Sequence, residues 1–409
     1  MHFFIYTMLA TGQGLGDINN AVTTANIYAT ILKDHHTVEQ QTINEADTTL
    51  ENIWSTVQQH PENQYLIIGA GPKAAKLLQS HPLSKPDNLQ EIIWTGHQPT
   101  QELLAGQQVS TIFLPQHVIT ADLEKDERIQ TLPCVIAPLT NQEPSYLSAC
   151  WSQLWRCCIP KAQEIIIMLG GDADSPNNSH EHWLIPNAWG EQFAKKIQQA
   201  WPSYNIIIVN SPRTGKYAQT EQAHIDPFKP IITHEETRNN HHQAPFPYDP
   251  LSQTINEALT KEGMNVEVWH FWKNNEGTVY SRYDEAMERF LKNPKAILIT
   301  CADSASDTSK NVSHYPLLHK RHNIYVTLTP STTPALANIV KKWHDSGYFG
   351  LINTEVTPCA ETIDTPMPIN PFHTVTTSAH ALLKKTNPHL NPHQEHSRQI
   401  IINSINYNN

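Results

Sequence analysis

Short runs of β-branched and aliphatic residues alternate along the chain with longer stretches in which apolar positions recur at helical spacing. In the first half, the predicted strands are 2–9, 64–69, 91–95, 109–114 and 133–137, and the predicted helices are 18–32, 46–60 and 72–80. These strands are apolar on both faces, which is typical of a parallel sheet covered by helices on both sides.

The second half repeats this alternation. Its predicted strands are 164–169, 204–209, 265–270, 295–300 and 323–328, and its predicted helices are 187–200, 251–262, 282–292 and 333–345. We therefore expect an α/β protein with two Rossmann-like parallel-sheet domains that face a cleft.

The domain boundaries are predicted from changes in composition. A helical stretch at 145–157 leads to a boundary that divides an N-terminal domain, 1–158, from a C-terminal domain, 159–355. The remaining tail, 356–409, contains a helical pattern at 374–385 and could pack back on the N-terminal domain. Residues 226–250 are rich in His, Asn and Pro and have little periodicity, so we expect a loop or an insertion there.

Composition restricts the kind of protein. The 28 basic and 39 acidic residues give a net charge of −11, which argues against a nucleic-acid-binding protein. The six Cys form no CxxC pair and are expected to be reduced, as in the cytoplasm. The first ten residues are apolar but lack a basic leader, and the longest apolar runs are shorter than the ~20 residues that span a bilayer. We therefore expect a soluble, cytoplasmic protein without a transmembrane segment.

A glycine-rich turn follows the first strand. The segment 11–17 contains Gly12, Gly14 and Gly16 and ends in Asp17, directly before a predicted helix. Its spacing is GxGxG and not GxGxxG, and no acidic residue follows at the offset expected of a dinucleotide fold, which argues against a nicotinamide cofactor. Two interpretations remain open: a tight turn capped by Asp17, or a loop that faces a ligand at the carboxyl end of the strand.

Three predicted strands of the second half end in polar turns. If these strands are parallel neighbours, their turns meet at one edge of the sheet. The turns would then bring together glycine N–H groups, a guanidinium, several hydroxyls and a helix N-terminus, which suit a phosphate or diphosphate. Taken alone, Asp303-Ser304 is typical of a helix cap. The candidate residues are Gly170, Gly171, Ser211, Arg213, Thr214, Asp303, Ser304 and Ser306.

No metal or cofactor is predicted. The chain has no P-loop Lys motif, no GxSxG and no HExxH, and its 23 His show no helical pairing with a third ligand. The segment Asp172-Ala173-Asp174 has the spelling of a DxD motif, but it follows a glycine turn, and we interpret it as a loop.

The strand ends resemble the mitochondrial-fission "elongated mitochondria" family, a bacterial and plant group related to glycosyltransferases of the two-Rossmann GT-B type. The segments that carry the resemblance are Gly170-Gly171, the turn from Asn210 to Thr214, and the segment from Thr300 to Asn311, with looser matches at 69–71 and 114–117. The similarity covers roughly residues 1–350.

The sequence also departs from the family pattern. The second Arg, the Met and the Glu of the family correspond to Thr214 (or Arg213 in the other register), Asp307 and Lys310. In sugar-nucleotide enzymes of this fold a Glu near that helix commonly holds the ribose hydroxyls. Lys310 cannot accept those hydrogen bonds, because an ammonium group only donates.

The resemblance implies a metal-independent glycosyltransferase that takes a nucleotide-diphosphate sugar as its co-substrate and transfers the sugar to an unknown acceptor. The C-terminal domain would hold the donor, and the N-terminal domain the acceptor. Gly14 and Gly16 would join the diphosphate-binding set, and Asp17 would be the catalytic base, with His117 and His97 as further candidates. Two alternatives stay open: a non-catalytic GT-B-like scaffold that recruits protein partners, and a nucleotide-sugar hydrolase or epimerase.

Overall fold

The computed structural model describes most of the chain, and its contacts divide the chain into two compact units. Unit 1 is Met1–Asn141 with Ile369–Asn409, and unit 2 is Gln142–Pro368. The described residues are 1–10, 15–45, 50–79, 85–97, 99–136, 163–174, 182–211, 213–214, 231–232, 249–270, 272–273, 279–313, 321–359 and 369–387.

Unit 1 is built on six strands and five helices among its described residues. The strands are β1 (His2–Leu9), β2 (Thr37–Asn44), β3 (Gln64–Ala70), β4 (Leu89–Thr95), β5 (Thr111–Pro115) and β6 (Ile129–Leu132). The helices are α1 (Leu15–Lys33), α2 (Leu50–Gln59), α3 (Gly71–Gln79), α4 (Gln101–Ala105) and, from the end of the chain, α10 (Phe372–Thr386). Short 3-10 turns lie at Gln116–Val118 and Leu123–Lys125.

The six strands form one parallel sheet in the order β2-β1-β3-β4-β5-β6. The chain first moves outward from β1 to β2 and then continues on the other side of β1, so the direction of the strand order reverses between β1 and β3. In open parallel sheets, ligands bind outside the carboxyl ends of the strands at such a reversal.

Two apolar layers cover the sheet of unit 1. One layer packs α1 and α10 against the sheet, with Tyr28 and Leu32 of α1 beside Val375 and Leu383 of α10. The Tyr28 hydroxyl donates to Ser378 Oγ at 2.8 Å and so ties these two helices together. The other layer packs α2, α3 and α4 against the opposite face.

The strands predicted from the sequence do not include β2, and the last predicted strand of unit 1 is in the wrong place. Strand β2 lies at the edge of the sheet, and six of its eight residues are exposed, so it lacks the apolar pattern of a buried strand. The strand predicted at 133–137 is wrong, because β6 ends at Leu132 and residues 133–136 adopt no strand. Their apolar side chains pack in the core as irregular chain: Cys134, Val135 and Ile136 are buried.

Unit 2 contains a larger sheet and two small ones among its described residues. The large sheet contains β7 (Glu164–Met168), β10 (Asn205–Val209), β12 (Val266–Trp269), β15 (Ile297–Cys301), β16 (Ile324–Thr327), β17 (Gly350–Ile352) and β18 (Val356–Thr357). The small sheets contain β8 (Ala173–Asp174), β9 (His182–Trp183) and β11 (Ile231–Ile232) in one, and β13 (Trp272–Lys273) and β14 (Val279–Tyr280) in the other. The helices are α5 (Asn187–Ala200), α6 (Pro250–Lys261), α7 (Tyr283–Lys292), α8 (Ala305–Ser313) and α9 (Pro334–Asp345), with a 3-10 turn at Arg321–Asn323.

The large sheet has the order β12-β10-β7-β15-β16-β17-β18 and is parallel except for β18. The strands run outward from β7 through β10 to β12, and the chain then returns to the other side of β7 with β15. This is the 3-2-1-4-5-6 order of a Rossmann fold, and its reversal lies between β7 and β15.

The predicted fold class is confirmed: the protein is α/β and has two Rossmann-like parallel sheets. The helix predicted at 145–157 and the boundary predicted at 158/159 lie outside the described residues, as does 226–250 except for β11 and the residues from Asp249 onward. No helix in the described part of the chain combines the length and the apolar character needed to cross a membrane.

Candidate functional site

The three polar turns of unit 2 meet at the carboxyl edge of its large sheet. The turn after β7 contains Gly170 and Gly171, the turn after β10 contains Arg213 and Thr214, and Asp303 follows β15. Thr214 Oγ1 donates to the carbonyl oxygen of Gly170 at 2.7 Å. Because these strands are adjacent and parallel, residues far apart in sequence come into direct contact here.

Asp303 is the centre of this site. Its side chain is fully buried, and Oδ2 accepts from the Gly171 N–H at 3.0 Å and from Arg213 Nη2 at 2.8 Å. Thr329 Oγ1 donates to Oδ1 at 3.4 Å. Burial raises the pKa of Asp303, whereas the Arg213 charge and the Gly171 N–H oppose that rise. The carboxylate therefore holds the β7, β10 and β15 turns together across the reversal of the sheet.

The two glycines are needed because their neighbours leave no room for a side chain. A Cβ on Gly170 would lie 1.9 Å from Asp303 Oδ1, and a Cβ on Gly171 would lie 2.1 Å from the backbone carbon of Arg213. Both distances are far below van der Waals contact. The glycine pair after β7 therefore permits the ion pair between Arg213 and Asp303 to form where it does.

Arg213 keeps part of its guanidinium accessible while it pairs with Asp303. Its side chain is 39% exposed, and the contact with Asp303 engages Nη2. A guanidinium carries five N–H donors in a planar fork, so Arg213 can also donate to an anion. Ser211 is half-buried, and its hydroxyl lies 3.1 Å from Thr214 Oγ1.

Ser304 caps the helix that follows Asp303. Its hydroxyl donates to Asp307 Oδ2 at 2.8 Å and accepts from the Asp307 N–H at 3.4 Å, at the start of α8. This arrangement fits the capping interpretation of Asp303-Ser304. The position of Ser306 lies in the first turn of α8, but its side chain lies outside what the structure describes.

A fourth turn belongs to the same site and was missed by the sequence analysis. Residues Thr329 to Thr332 follow β16, the neighbour of β15. Ser331 Oγ donates to the carbonyl oxygen of Gly171 at 3.0 Å, and the Thr329 hydroxyl lies 3.0 Å from that of Thr332. The available signal was a polar Thr-Pro-Ser-Thr-Thr segment directly after a predicted strand, which is the pattern that identified the other turns.

Lys310 lies on α8 with its side chain 11% exposed. Its ammonium donates to the Tyr283 hydroxyl at 3.2 Å, lies 4.5 Å from the centre of that ring, and is 3.8 Å from Asp307 Oδ1. The buried charge is thus compensated by a carboxylate and by the face of an aromatic ring.

A second group of candidate residues lies at the carboxyl edge of unit 1. Asp17 is in the first turn of α1, and its carboxylate packs against Gly71, the first residue of α3. A Cβ on Gly71 would lie 2.3 Å from Asp17 Oδ2, and Gly71 has φ +74°, a backbone conformation that favours glycine. Burial raises the pKa of Asp17 above its ordinary value, and the charge of the nearby His97 offsets part of that rise.

His97 and His117 follow the next two strands, β4 and β5. Burial, together with the charge of His97, lowers the pKa of His117 to about 4. Within the described residues His117 Nδ1 is buried without a hydrogen-bond partner, whereas His97 is exposed. Gly16 is exposed in the first turn of α1, and Gly14 lies outside the described residues.

The candidate residues thus form two sets. One set lies in unit 2 at the carboxyl edge of its large sheet: Gly170, Gly171, Ser211, Arg213, Thr214, Asp303 and Ser304. The other set lies in unit 1 and consists of Asp17, His97 and His117. Among the described residues, no group of three or more His, Cys, Asp or Glu side chains is arranged to hold a metal ion.

No family model matches this chain, and no curated protein matches it. Among solved structures, it is similar to WaaG, a glycosyltransferase involved in lipopolysaccharide biosynthesis, with 12% identity and a TM-score of 0.34. The match covers 84% of this chain and 90% of WaaG.

Proposed function

We propose that this protein is a glycosyltransferase that takes its sugar from a nucleotide diphosphate and needs no metal ion. The proposal rests on one observation: the turns that follow β7, β10 and β15 are in contact at Arg213. This contact lies where the strand order of unit 2 reverses. Sheets of this topology bind nucleotides outside the carboxyl ends of the strands at that place.

The residues of unit 2 would act on the diphosphate. When the bond between the sugar and the diphosphate breaks, negative charge grows on the leaving oxygen. The partly exposed guanidinium of Arg213 would donate to that charge, helped by the Ser211 hydroxyl and by the positive end of α8. Asp303 and Thr214 would keep Arg213 and the glycine turn in place.

The first experiment measures donor binding by titration calorimetry with a panel of UDP-, GDP- and dTDP-sugars. We expect saturable binding to one of them, and we expect Arg213→Ala to weaken it by about 100-fold, as for the loss of a bidentate charge-assisted contact. Arg289→Ala is a matched control, because Arg289 also pairs with a carboxylate of unit 2 that is largely buried, Glu164, and its side chain is 43% exposed. Equal loss in both variants, or binding that requires a divalent ion, contradicts the proposal.

A second candidate function is a non-catalytic scaffold that recruits a protein partner. Two features favour it. The charge of Arg213 is already compensated by Asp303. The resemblance described above also sets Lys310, which cannot accept hydrogen bonds from ribose hydroxyls, where that family carries a Glu. Absence of binding across the whole donor panel, for a folded protein, would favour the scaffold. Transfer of labelled sugar to an acceptor extract would exclude it.

A further inference from the structure

The donor groups of the unit 2 site already hold an anion, the carboxylate of Asp303. Its Oδ2 accepts from the Gly171 N–H at 3.0 Å and from Arg213 Nη2 at 2.8 Å, and its Oδ1 accepts from Thr329 Oγ1 at 3.4 Å. A backbone N–H, a guanidinium and a hydroxyl are the groups that also bind the oxygens of a phosphate. Asp303 is therefore an anion built into the site, and a ligand has to bind beside it.

Three hydroxyl groups around Asp303 donate to oxygens of the protein itself. Each hydroxyl has a single proton to donate. The three contacts are Thr214 to the Gly170 carbonyl oxygen at 2.7 Å, Ser331 to the Gly171 carbonyl oxygen at 3.0 Å, and Ser304 to Asp307 Oδ2 at 2.8 Å. The formal charges of Arg213 and Asp303 therefore decide how the site responds to the charge of a ligand. Two further charges on α8, those of Asp307 and Lys310, lie 3.8 Å apart and offset each other.

Arg213 is the member of this ion pair that a ligand can reach. Its side chain is 39% exposed, whereas that of Asp303 is fully buried. A guanidinium has five N–H donors, so Arg213 can contact a phosphate oxygen while Nη2 stays on Asp303. The phosphate and the carboxylate then share one guanidinium, and their negative charges repel each other. Because the Asp303 side chain has no contact with solvent, water and salt screen this repulsion only weakly.

We infer that Asp303 selects the ligand of unit 2 by its charge: the site accepts a phosphate group with one negative charge and disfavours a phosphate group with two. This inference rests on the proposed function. The charge of Asp303 already balances that of Arg213. The first charge of a ligand gains the direct contact with the guanidinium, whereas a second charge on the same phosphorus adds repulsion from Asp303. Arg213 is therefore the binding residue, and Asp303 determines its specificity.

This selection separates the substrate of the proposed reaction from its product. In a nucleotide-diphosphate sugar, each of the two phosphates has one ionisable oxygen and carries one negative charge. After transfer of the sugar, the terminal phosphate is free and carries close to two charges at neutral pH, since its second pKa is about 6. Asp303 therefore favours binding of the donor and release of the nucleoside diphosphate.

Two probes of different charge test the selection without a sugar nucleotide. Inorganic diphosphate has free terminal phosphates, whereas symmetric dimethyl diphosphate has one methyl ester and one charge on each phosphorus. Phosphorus NMR titrations at one pH and ionic strength give the Kd of each probe for the wild type and for the variants. Asp303→Asn removes the charge but keeps an oxygen that accepts from Arg213 and Gly171. Glu285→Gln is the control, because Glu285 also pairs with a guanidinium, that of Arg282, but its side chain is 54% exposed.

We expect Asp303→Asn to strengthen the binding of inorganic diphosphate by about 10-fold or more, and that of dimethyl diphosphate by less than about 3-fold. Glu285→Gln should change neither Kd, and Arg213→Ala should abolish the binding of both probes. Equal gains for the two probes, no gain at all, binding that survives Arg213→Ala, or failure of both probes to bind the wild type overturns the inference.

The wild type alone decides the question if Asp303→Asn does not fold. Dimethyl diphosphate should then bind at least as tightly as inorganic diphosphate, although inorganic diphosphate has the greater charge; the reverse order overturns the inference. The donor panel tests the proposed function separately. Sugar nucleotides that bind while the two diphosphates show no charge preference support the proposed function and overturn the inference. A charge preference that depends on Arg213 and Asp303, without binding of any donor, supports the inference and contradicts the proposed function.

Discussion

At the scale of single residues, the two sites depend on close approaches that few side chains allow. Asp303 is fully buried and is satisfied by Arg213, Gly171 and Thr329, and Gly170 leaves the space in which its carboxylate lies. Breaking such a pair by removing one partner leaves a buried group uncompensated, which costs more than the pair itself contributes. The contacts of Asp303 therefore fix the position of Arg213 in the site.

His117 gives a prediction about pH. Its pKa in the folded protein is about 4, so between that pH and the ordinary histidine value of about 6.5 the unfolded chain binds the proton more readily. The stability that is present above pH 6.5 is therefore lost as the pH falls towards 4. With about 1.4 kcal/mol for each pKa unit, the loss from His117 is about 3 kcal/mol.

We expect His117→Gln to flatten this part of the stability profile, measured by urea unfolding at several pH values between 4 and 7.5. His60→Gln is the control, because His60 is an exposed residue of the same unit. A profile of His117→Gln that parallels the wild type would contradict the burial of a neutral imidazole.

At the scale of elements, the residue that caps α6 also holds one of the turns of unit 2 in place. Asp249 caps α6: its Oδ1 accepts from the Ser252 N–H at 2.8 Å, and Pro250 occupies the first helical position. The other oxygen of Asp249 accepts from Asn210 Nδ2 at 2.8 Å, and Asn210 is the residue that follows β10. One buried side chain therefore starts a helix and also holds the turn that carries Arg213.

Because Asp249 has both roles, its removal should lower the free energy of unfolding more than the removal of an ordinary helix cap does. Thr333 caps α9 through a single bond to the Leu336 N–H at 3.3 Å. We expect Thr333→Ala to lower the free energy of unfolding by about 1 kcal/mol, and Asp249→Ala by about 2–4 kcal/mol, since the buried amide of Asn210 also loses a charged partner. Chemical unfolding of both variants measures the difference. Equal costs would mean that the Asn210 contact contributes nothing.

At the scale of the molecule, the end of the chain completes the first unit. Helix α10 packs against α1 although more than 300 residues separate them, and Val375, Ala379 and Leu382 are buried in the shared layer. Without α10, the apolar face of α1 would be open to water, at a cost of roughly 25 cal/mol for each Å² exposed. Unit 1 therefore depends on the last part of the chain for its core.

Two substitutions on α10 test this dependence. Ala379 is fully buried, whereas Thr377 on the same helix is exposed. We expect Ala379→Asp to lower the Tm of unit 1 by more than 5 °C, because an unpaired carboxylate enters an apolar layer, and we expect Thr377→Asp to have little effect. Differential scanning calorimetry, with its transitions assigned through unit-specific variants, measures both. A Tm of Ala379→Asp equal to that of the wild type would show that the packing does not stabilise unit 1.

The sequence determined the elements whose signal is local. Buried parallel strands are apolar on both faces, so β1, β3, β7, β10 and β15 could be located from their composition, and so could the polar turns that follow them. The same reasoning failed at β2, because an edge strand faces water, and at 133–136, because buried apolar residues do not have to form a strand.

Only the tertiary structure decided which turns are neighbours and which charges meet. The sequence could place Arg213 and Asp303 in one site only on the condition that their strands are neighbours, and it did not find Thr329. Strand order is set by the packing of the whole sheet and not by the sequence of any one strand. The same holds for Asp17 and Gly71, and for α10 and α1. Side-chain periodicity is a property of a few neighbouring residues, whereas contact across a sheet depends on how all the strands pair.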